Sequence, residues 1–212
     1  MTHVSDSVTL FDYWRSSASY RVRIALNLAQ IDHRSVSVNL IEMDHKSSEH
    51  LTRNPQGLVP VLDIDGHRFT QSLAIIEYLD ETRHLGLLPQ DPVERAKHRA
   101  LAYAIAIDLH PVCNLSVLAY ATEGGEHVRS DWMKHFIQPA LAGFETMLGG
   151  FQQAPFCDGA TPRLADLCLI PQLYNADRWG VDYSNRTRIM AVRDACLPHP
   201  AFSAAHPNAV QA

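Results

Sequence analysis

The pattern of apolar residues changes character once along this chain, and that change limits the folds open to it. From residue 8 to about residue 84, short apolar runs alternate with helix-period segments. Beyond the turn-rich stretch Gly86-Leu87-Leu88-Pro89-Gln90-Asp91-Pro92 every patterned segment has the helical period. Val8 to Trp14 reads as a strand. Ala18 to Gln30 reads as a helix, with Val22, Ala25, Leu26 and Ala29 on one face. Ser35 to Leu40 is a second strand, residues 47 to 53 a short helix ending before Asn54-Pro55, and Val59 to Ile64 a third strand. Asp65-Gly66 is a hairpin turn leading into His67-Arg68-Phe69-Thr70. Ser72 opens a helix with Ile75, Ile76 and Leu79 inward. The order is β-α-β-α-β-β-α. In the second half Leu101, Ala104, Ile105 and Leu109 share one helix face. Trp132, Phe136, Ile137, Ala140, Leu141 and Phe144 line another, and Leu164, Leu167, Cys168, Ile170 and Leu173 mark a third, buried helix. Pro111, Pro139 and Pro171 are expected to kink or end these segments. Pro198-His199-Pro200 and the tail after Pro207 read as irregular. The expected architecture is a small α/β domain followed by an all-helical one.

Composition narrows the function. With 46% hydrophobic and 19% charged residues in a chain of 212, a sizeable core forms and a disordered chain is excluded. The net charge of -5 argues against a general binder of phosphate backbones, so no nucleic acid is expected as partner. No apolar run approaches the ~20 residues of a membrane span, and Met1 to Ser7 lacks the basic flank and apolar stretch of a signal peptide. Cys113, Cys157, Cys168 and Cys196 are widely spaced and form no CxxC pair, so a reducing cytoplasm is the expected compartment. The 12 histidines include no HxxxH or HExxH, and no metal site is expected.

Three short motifs carry chemistry. Trp14-Arg15-Ser16-Ser17-Ala18-Ser19-Tyr20-Arg21 follows the first strand and opens the first helix. Free N–H groups and the positive end of the helix dipole stabilise an anion there, and a hydroxyl of Ser16 or Ser17 can donate to a thiolate. The plainer alternative is that the serines only cap the helix. Ala18 occupies the position most like a nucleophile, so any thiolate must arrive with a ligand. In Asn54-Pro55-Gln56-Gly57-Leu58-Val59-Pro60, a cis Val59–Pro60 bond would leave the Val59 backbone open to an extended peptide; an ordinary trans proline is the alternative. Gln71-Ser72, at a helix start, can hold a carboxylate or simply cap.

Together these motifs resemble the zeta class of soluble glutathione transferases, the class of maleylacetoacetate and maleylpyruvate isomerases. Arg15 to Leu26 resembles the class run S-S-C-S-aromatic-R-V-R-I-A-L, with Ala18 at the cysteine. Asn54-Pro55…Val59-Pro60, Gln71 to Leu79, Asn114-Leu115-Ser116-Val117-Leu118 and Ala165 to Gln172 continue it, over about residues 8 to 197. The resemblance implies an α/β thioredoxin-like N-terminal domain (βαβαββα) over residues 8–85 and an all-α C-terminal helical domain over residues 93–212, the soluble glutathione transferase architecture. It implies glutathione as cofactor, a small acidic substrate, a homodimer and isomerase activity. Ser16 would face the glutathione sulfur, with Ser17 beside it. Val59, before a cis-Pro60, would pair with the cysteinyl backbone, Gln71 and Ser72 would hold the γ-glutamyl carboxylate, and His45 would reach the glycyl end. His110 and Asn114 would meet tripeptide and substrate. Arg15 and Arg178 would lie near the acidic substrate, whose carboxylates suit the guanidinium fork; for Arg178 the alternative is a surface ion pair with Asp177.

Two departures carry consequences. Ala18 excludes chemistry that consumes an enzyme thiol at that position. Arg163 stands where the family has a Ser or Thr cap three residues before Asp166, so Thr161 is expected to cap one turn earlier and shift the helix start. Leu115-Ser116 favours the acetoacetate substrate, because the pyruvate isomerases carry added arginine there. The rival readings are a maleylpyruvate isomerase, a general glutathione S-transferase and a non-catalytic glutathione-binding protein.

Overall fold

A computed structural model describes residues 8–122 and 125–211; the Met1–Ser7 segment judged above lies outside them. The chain divides into two compact units, one of residues 1–85 with 200–212, the other of residues 86–199.

In the first unit the elements run β1 (Thr9–Asp12), α1 (Ser17–Leu28), β2 (Arg34–Ser37), a 3₁₀ turn at Asp44–Lys46, α2 (Ser48–Arg53), β3 (Val61–Ile64), β4 (His67–Thr70) and α3 (Ser72–Arg83), the order expected. The strands form one mixed sheet in the order β2-β1-β3-β4. β1 is parallel to β2 and antiparallel to β3, and β3 is antiparallel to β4. Residue type sorts the strands. β1 is buried along its whole length and sits inside the sheet, whereas β2 shows Arg34, Ser35 and Ser37 to solvent and forms an edge. Asp65 and Gly66 both adopt positive φ, as a two-residue hairpin of this kind requires.

The last residues correct the expected division. They read as irregular and as part of the helical domain, yet α9 (Pro200–Ala205) and α10 (Pro207–Val210) belong to the first unit. The cause lies on α1. Tyr20, Arg23 and Asn27 share a helix face and donate to the carbonyls of Phe202 (3.4 Å), Ala205 (3.1 Å) and Ala201 (3.0 Å). Arg23 is buried and also pairs with Asp12 at 2.5 Å and donates to Trp14 O at 2.8 Å. Burial raises the Asp12 carboxyl while Arg23 pulls it back.

The second unit holds α4 (Pro92–Tyr103), a π-helical turn (Ala104–Leu109), a 3₁₀ turn (Pro111–Cys113), α5 (Leu115–Ala121), α6 (Glu126–Leu148), α7 (Leu164–Arg178) and α8 (Thr187–Cys196). Asp91 caps α4, accepting from the Val93 and Glu94 amides. α7 is buried on every side from Leu164 to Leu173, as a helix apolar all round must be, and packs against α4, α6 and α8. Pro139 and Pro171 stand inside α6 and α7 rather than ending them, each removing a single helical N–H.

Nor does the start of α7 shift. Arg163 is its N-cap residue, and the Asp166 carboxylate reaches back to the Arg163 amide at 2.7 Å. That is the acidic half of a capping box, and it does not need a hydroxyl. Thr161 is therefore not required as a cap. The Arg163 guanidinium instead donates to the carbonyls of Gly86 and Asp158, tying two loops to the helix start. Asp166 also accepts from the Cys157 amide at 2.9 Å, and burial pushes its carboxyl up to about 6.

Candidate active site

Strand register places the first-unit candidates at one end of the sheet. Phe11 is paired with Val61, Val61 with Thr70, and Asp12 with Ser37. The chain leaving β1, the chain leaving β2, the chain entering β3 and the chain leaving β4 therefore all lie beyond the same sheet edge. Those segments carry Arg15 to Ser17, His45, Val59-Pro60 and Gln71-Ser72. Residues scattered over about sixty positions of sequence converge because three neighbouring strands alternate in direction.

At the β1–α1 junction Ser16 is the N-cap residue, its Oγ accepting from the Ser19 amide at 3.2 Å. Capping uses a lone pair and leaves the Ser16 O–H available as a donor, so the capping and ligand-facing readings are compatible. Ser17 is the first helical residue and half-buried, and the Ala18 amide meets no acceptor among the described residues. Arg15 lies over the rings of Tyr13 and Trp14 at 5.9 and 5.2 Å.

Before β3 the Val59–Pro60 bond is cis. Neither backbone polar group of Val59 takes a hydrogen bond among the described residues. Gln71 is the N-cap residue of α3, so Ser72 is one place inside the helix rather than the cap itself. Gln71 has φ 68°, which a non-glycine residue adopts at a cost, and its amide Nε2 donates to Gln56 Oε1 at 2.8 Å. Ser72 Oγ is buried and accepts from Arg21 at 3.4 Å, linking the starts of α3 and α1. His45 is half-buried, and its enclosed Nδ1 has no partner among the described residues. Burial, then the charge of Lys46, lowers its pKa.

His110, Asn114 and Arg178 belong to the second unit. His110 joins the π turn to the 3₁₀ turn and Asn114 precedes α5, both half-buried. Arg178 is exposed at the end of α7, 5.9 Å from the Trp179 ring, and Asp177 accepts from the Tyr183 hydroxyl at 2.7 Å. None of the four cysteines is in a disulfide, and all are buried. Burial pushes the Cys113 thiol up to about 11, with Gln172 beside it pulling the other way, and raises Cys157 and Cys196 as well. No thiol of this kind is an accessible thiolate at neutral pH. Among the described residues no three His, Cys, Asp or Glu side chains gather to hold a metal.

Sequence reasoning gave His50 no role and saw Asn54 only as a helix stop and as the start of the motif that ends at Pro60. Both are buried beneath the Val59 turn, and both donate to the Leu58 carbonyl, at 3.0 and 2.9 Å. Asn54-Pro55 was visible as a helix stop, but nothing in one-dimensional spacing joins residues 50 and 58.

Comparison with known proteins agrees with this geometry. Residues 6–81 match the model of the glutathione S-transferase N-terminal domain. The chain is 55% identical over 209 residues to a maleylacetoacetate isomerase of Rhizobium meliloti, covering 97% of this chain and 98% of that protein. Among solved structures, the holo form of a bacterial zeta-class maleylpyruvate isomerase superposes with a TM-score of 0.90 at 35% identity, over 96% of this chain and 98% of that one. A maleylacetoacetate isomerase of Anaeromyxobacter dehalogenans with bound glutathione in its active site gives 0.86 at 37% identity, over 97% of each chain. A sheet edge where capped helix starts and an unpaired backbone meet, on a chain so similar to these proteins over its length, means that this protein belongs to the zeta class of the glutathione S-transferase family.

Proposed function

We propose that the protein is a glutathione-dependent cis–trans isomerase that converts maleylacetoacetate to fumarylacetoacetate. The observation that carries this reading is the convergence of Ser16, His45, Val59 and Gln71-Ser72 beyond one sheet edge, with hydrogen-bonding groups left open for an extended anionic peptide. The residues fit glutathione. Among the described residues the Ala18 amide, the backbone of Val59 and the enclosed Nδ1 of His45 have no hydrogen-bond partner. The Cys113, Cys157 and Cys196 thiols are buried and raised above the ordinary thiol value, which favours a sulfur brought from outside.

When bound, glutathione supplies a thiolate that adds reversibly to an activated double bond and so permits rotation about it. The N-terminus of α1, with its dipole and the Ser16 O–H, holds negative charge at the sulfur position. Ser17 lies beside it. Val59 and Pro60 align the peptide by backbone pairing, Gln71 and Ser72 take its γ-glutamyl carboxylate, and His45 donates an N–H toward the glycyl end. Arg15 and Arg178 bind the carboxylates of the diketo acid through paired N–H donors, and they favour charge that develops on its oxygens during reaction.

Leu115 and Ser116 favour the acetoacetate tail over a more charged one, and the 55% identity is to a maleylacetoacetate isomerase. Maleylpyruvate is the second reading, supported by the TM-score of 0.90 to a maleylpyruvate isomerase. We place the protein in the cytoplasm as a homodimer, a reading in keeping with four cysteines in no disulfide and with dimers in its class. The test is loss of the cis diketo acid, followed with and without glutathione, for both substrates in parallel. Turnover that requires glutathione without consuming it supports the reading. Accumulation of a glutathione conjugate with no trans isomer identifies a general transferase, and no turnover with intact glutathione binding identifies a non-catalytic binder.

A further inference from the structure

The Leu58 carbonyl accepts two buried side-chain donors, His50 Nε2 at 3.0 Å and Asn54 Nδ2 at 2.9 Å. The chemistry of the acceptor settles the donors. A carbonyl cannot donate, so the His50 proton is on Nε2. Asn54 Oδ1 accepts from the Gln56 amide at 3.1 Å, so its NH₂ faces Leu58. The Leu58–Val59 peptide is trans, and a trans amide points its C=O and the next N–H in opposite directions. A Leu58 carbonyl held toward α2 therefore sends the Val59 N–H the other way, and that N–H has no partner among the described residues.

The arrangement is costly for a purely structural contact. His50 is 1% exposed, and its buried Nδ1 has no partner among the described residues. An apolar side chain would fill the same space without that penalty. One donor, Asn54, already satisfies the carbonyl. The second donor adds orientation rather than satisfaction.

We propose that His50 is a positioning residue which, with Asn54, fixes the Leu58–Val59 peptide plane and presents the Val59 N–H to the cysteinyl carbonyl of glutathione; this rests on the reading that Val59 pairs with the tripeptide. The pin acts on ligand binding and not on the sulfur chemistry, which separates it from Ser16.

The experiment compares the full-length protein with His50→Phe, which removes the donor, and His50→Gln, which restores one. It measures glutathione affinity by calorimetry, KM and kcat, the Tm of the ligand-free protein, and Val59 amide exchange by NMR. His50→Phe is expected to weaken glutathione binding and raise its KM about three- to tenfold, the range of one lost hydrogen bond. Saturated kcat should stay within about twofold, Val59 exchange should quicken, and His50→Gln should recover most of the affinity. If His50→Phe does not fold, His50→Leu takes its place with the same expectation. Unchanged affinity in a folded donorless variant overturns the assignment, as does a His50→Gln protein no better than His50→Phe. If the wild type itself binds no glutathione, the pairing of Val59 with the tripeptide falls and the assignment falls with it. If the wild type binds and the donorless variant binds equally, only the role of His50 falls.

Discussion

Ser16 Oγ accepts the Ser19 amide hydrogen at 3.2 Å, so one side chain starts α1 and still keeps its own O–H for another partner. Ser16→Ala removes both. Loss of the cap should lower stability by about 1 kcal/mol. Loss of the donor should raise the pKa of bound glutathione and slow turnover about a hundredfold at neutral pH. Thiolate absorbance of the complex against pH checks the first effect of the donor and steady-state rates the second. Wild-type activity in Ser16→Ala would mean that the hydroxyl does not activate the sulfur.

Arg178 ends α7 with its side chain exposed, where a guanidinium can bind an acidic ligand. Arg178→Ala should raise the substrate KM about tenfold, the worth of a charge-assisted pair, with kcat nearly unchanged. Arg178→Lys should recover only part of this, because a single ammonium lacks the fork. The check is initial-rate kinetics at saturating glutathione.

Asp166 titrates from about 6 in the folded protein, above the usual carboxylate value, because burial disfavours its charge. The folded state therefore holds a proton that the unfolded state releases first. Stability from this group is fully present below about pH 4 and is lost as pH rises through about 6. Denaturant unfolding across that window, for wild type and Asp166→Asn, should show a downward slope in the wild type that the variant lacks. Parallel curves would remove Asp166 as the source.

Arg163 exchanges a hydroxyl cap for two guanidinium contacts, to the carbonyls of Gly86 and Asp158. Arg163→Ser should restore the cap and lose the contacts, leaving stability within about 1 kcal/mol of wild type. Arg163→Ala gains neither and should be the least stable of the three. Chemical denaturation ranks them.

Phe202 is fully buried although it lies close to the C-terminus, where chains often fray. Phe202→Ala should cost about 3 kcal/mol, the usual range for a core aromatic. A loss below about 1 kcal/mol would mean that α9 is not part of the first unit's core. Thermal unfolding with the glutathione complex as control reads the effect.

Much of this protein is set by local chemistry that reads directly from residues. Val8 to Trp14 makes a strand, Asp65-Gly66 a hairpin, Ser16 a helix start, and the apolar residues Leu164, Leu167, Cys168, Ile170 and Leu173 a buried helix, because each depends on neighbours a few positions away. The order βαβαββα and the helical second half follow from those periods. Only the tertiary structure decided the rest. Strand direction brings residues 16, 45, 59 and 71 to one edge, and a period of two says nothing about which strands pair or which way they run. The tail after Pro200 joined the first unit because Tyr20, Arg23 and Asn27 find carbonyls there, a match between segments far apart in sequence. The His50–Leu58 hydrogen bond arises in the same way. Contacts across long separations depend on loop closure and shape, which no local pattern encodes.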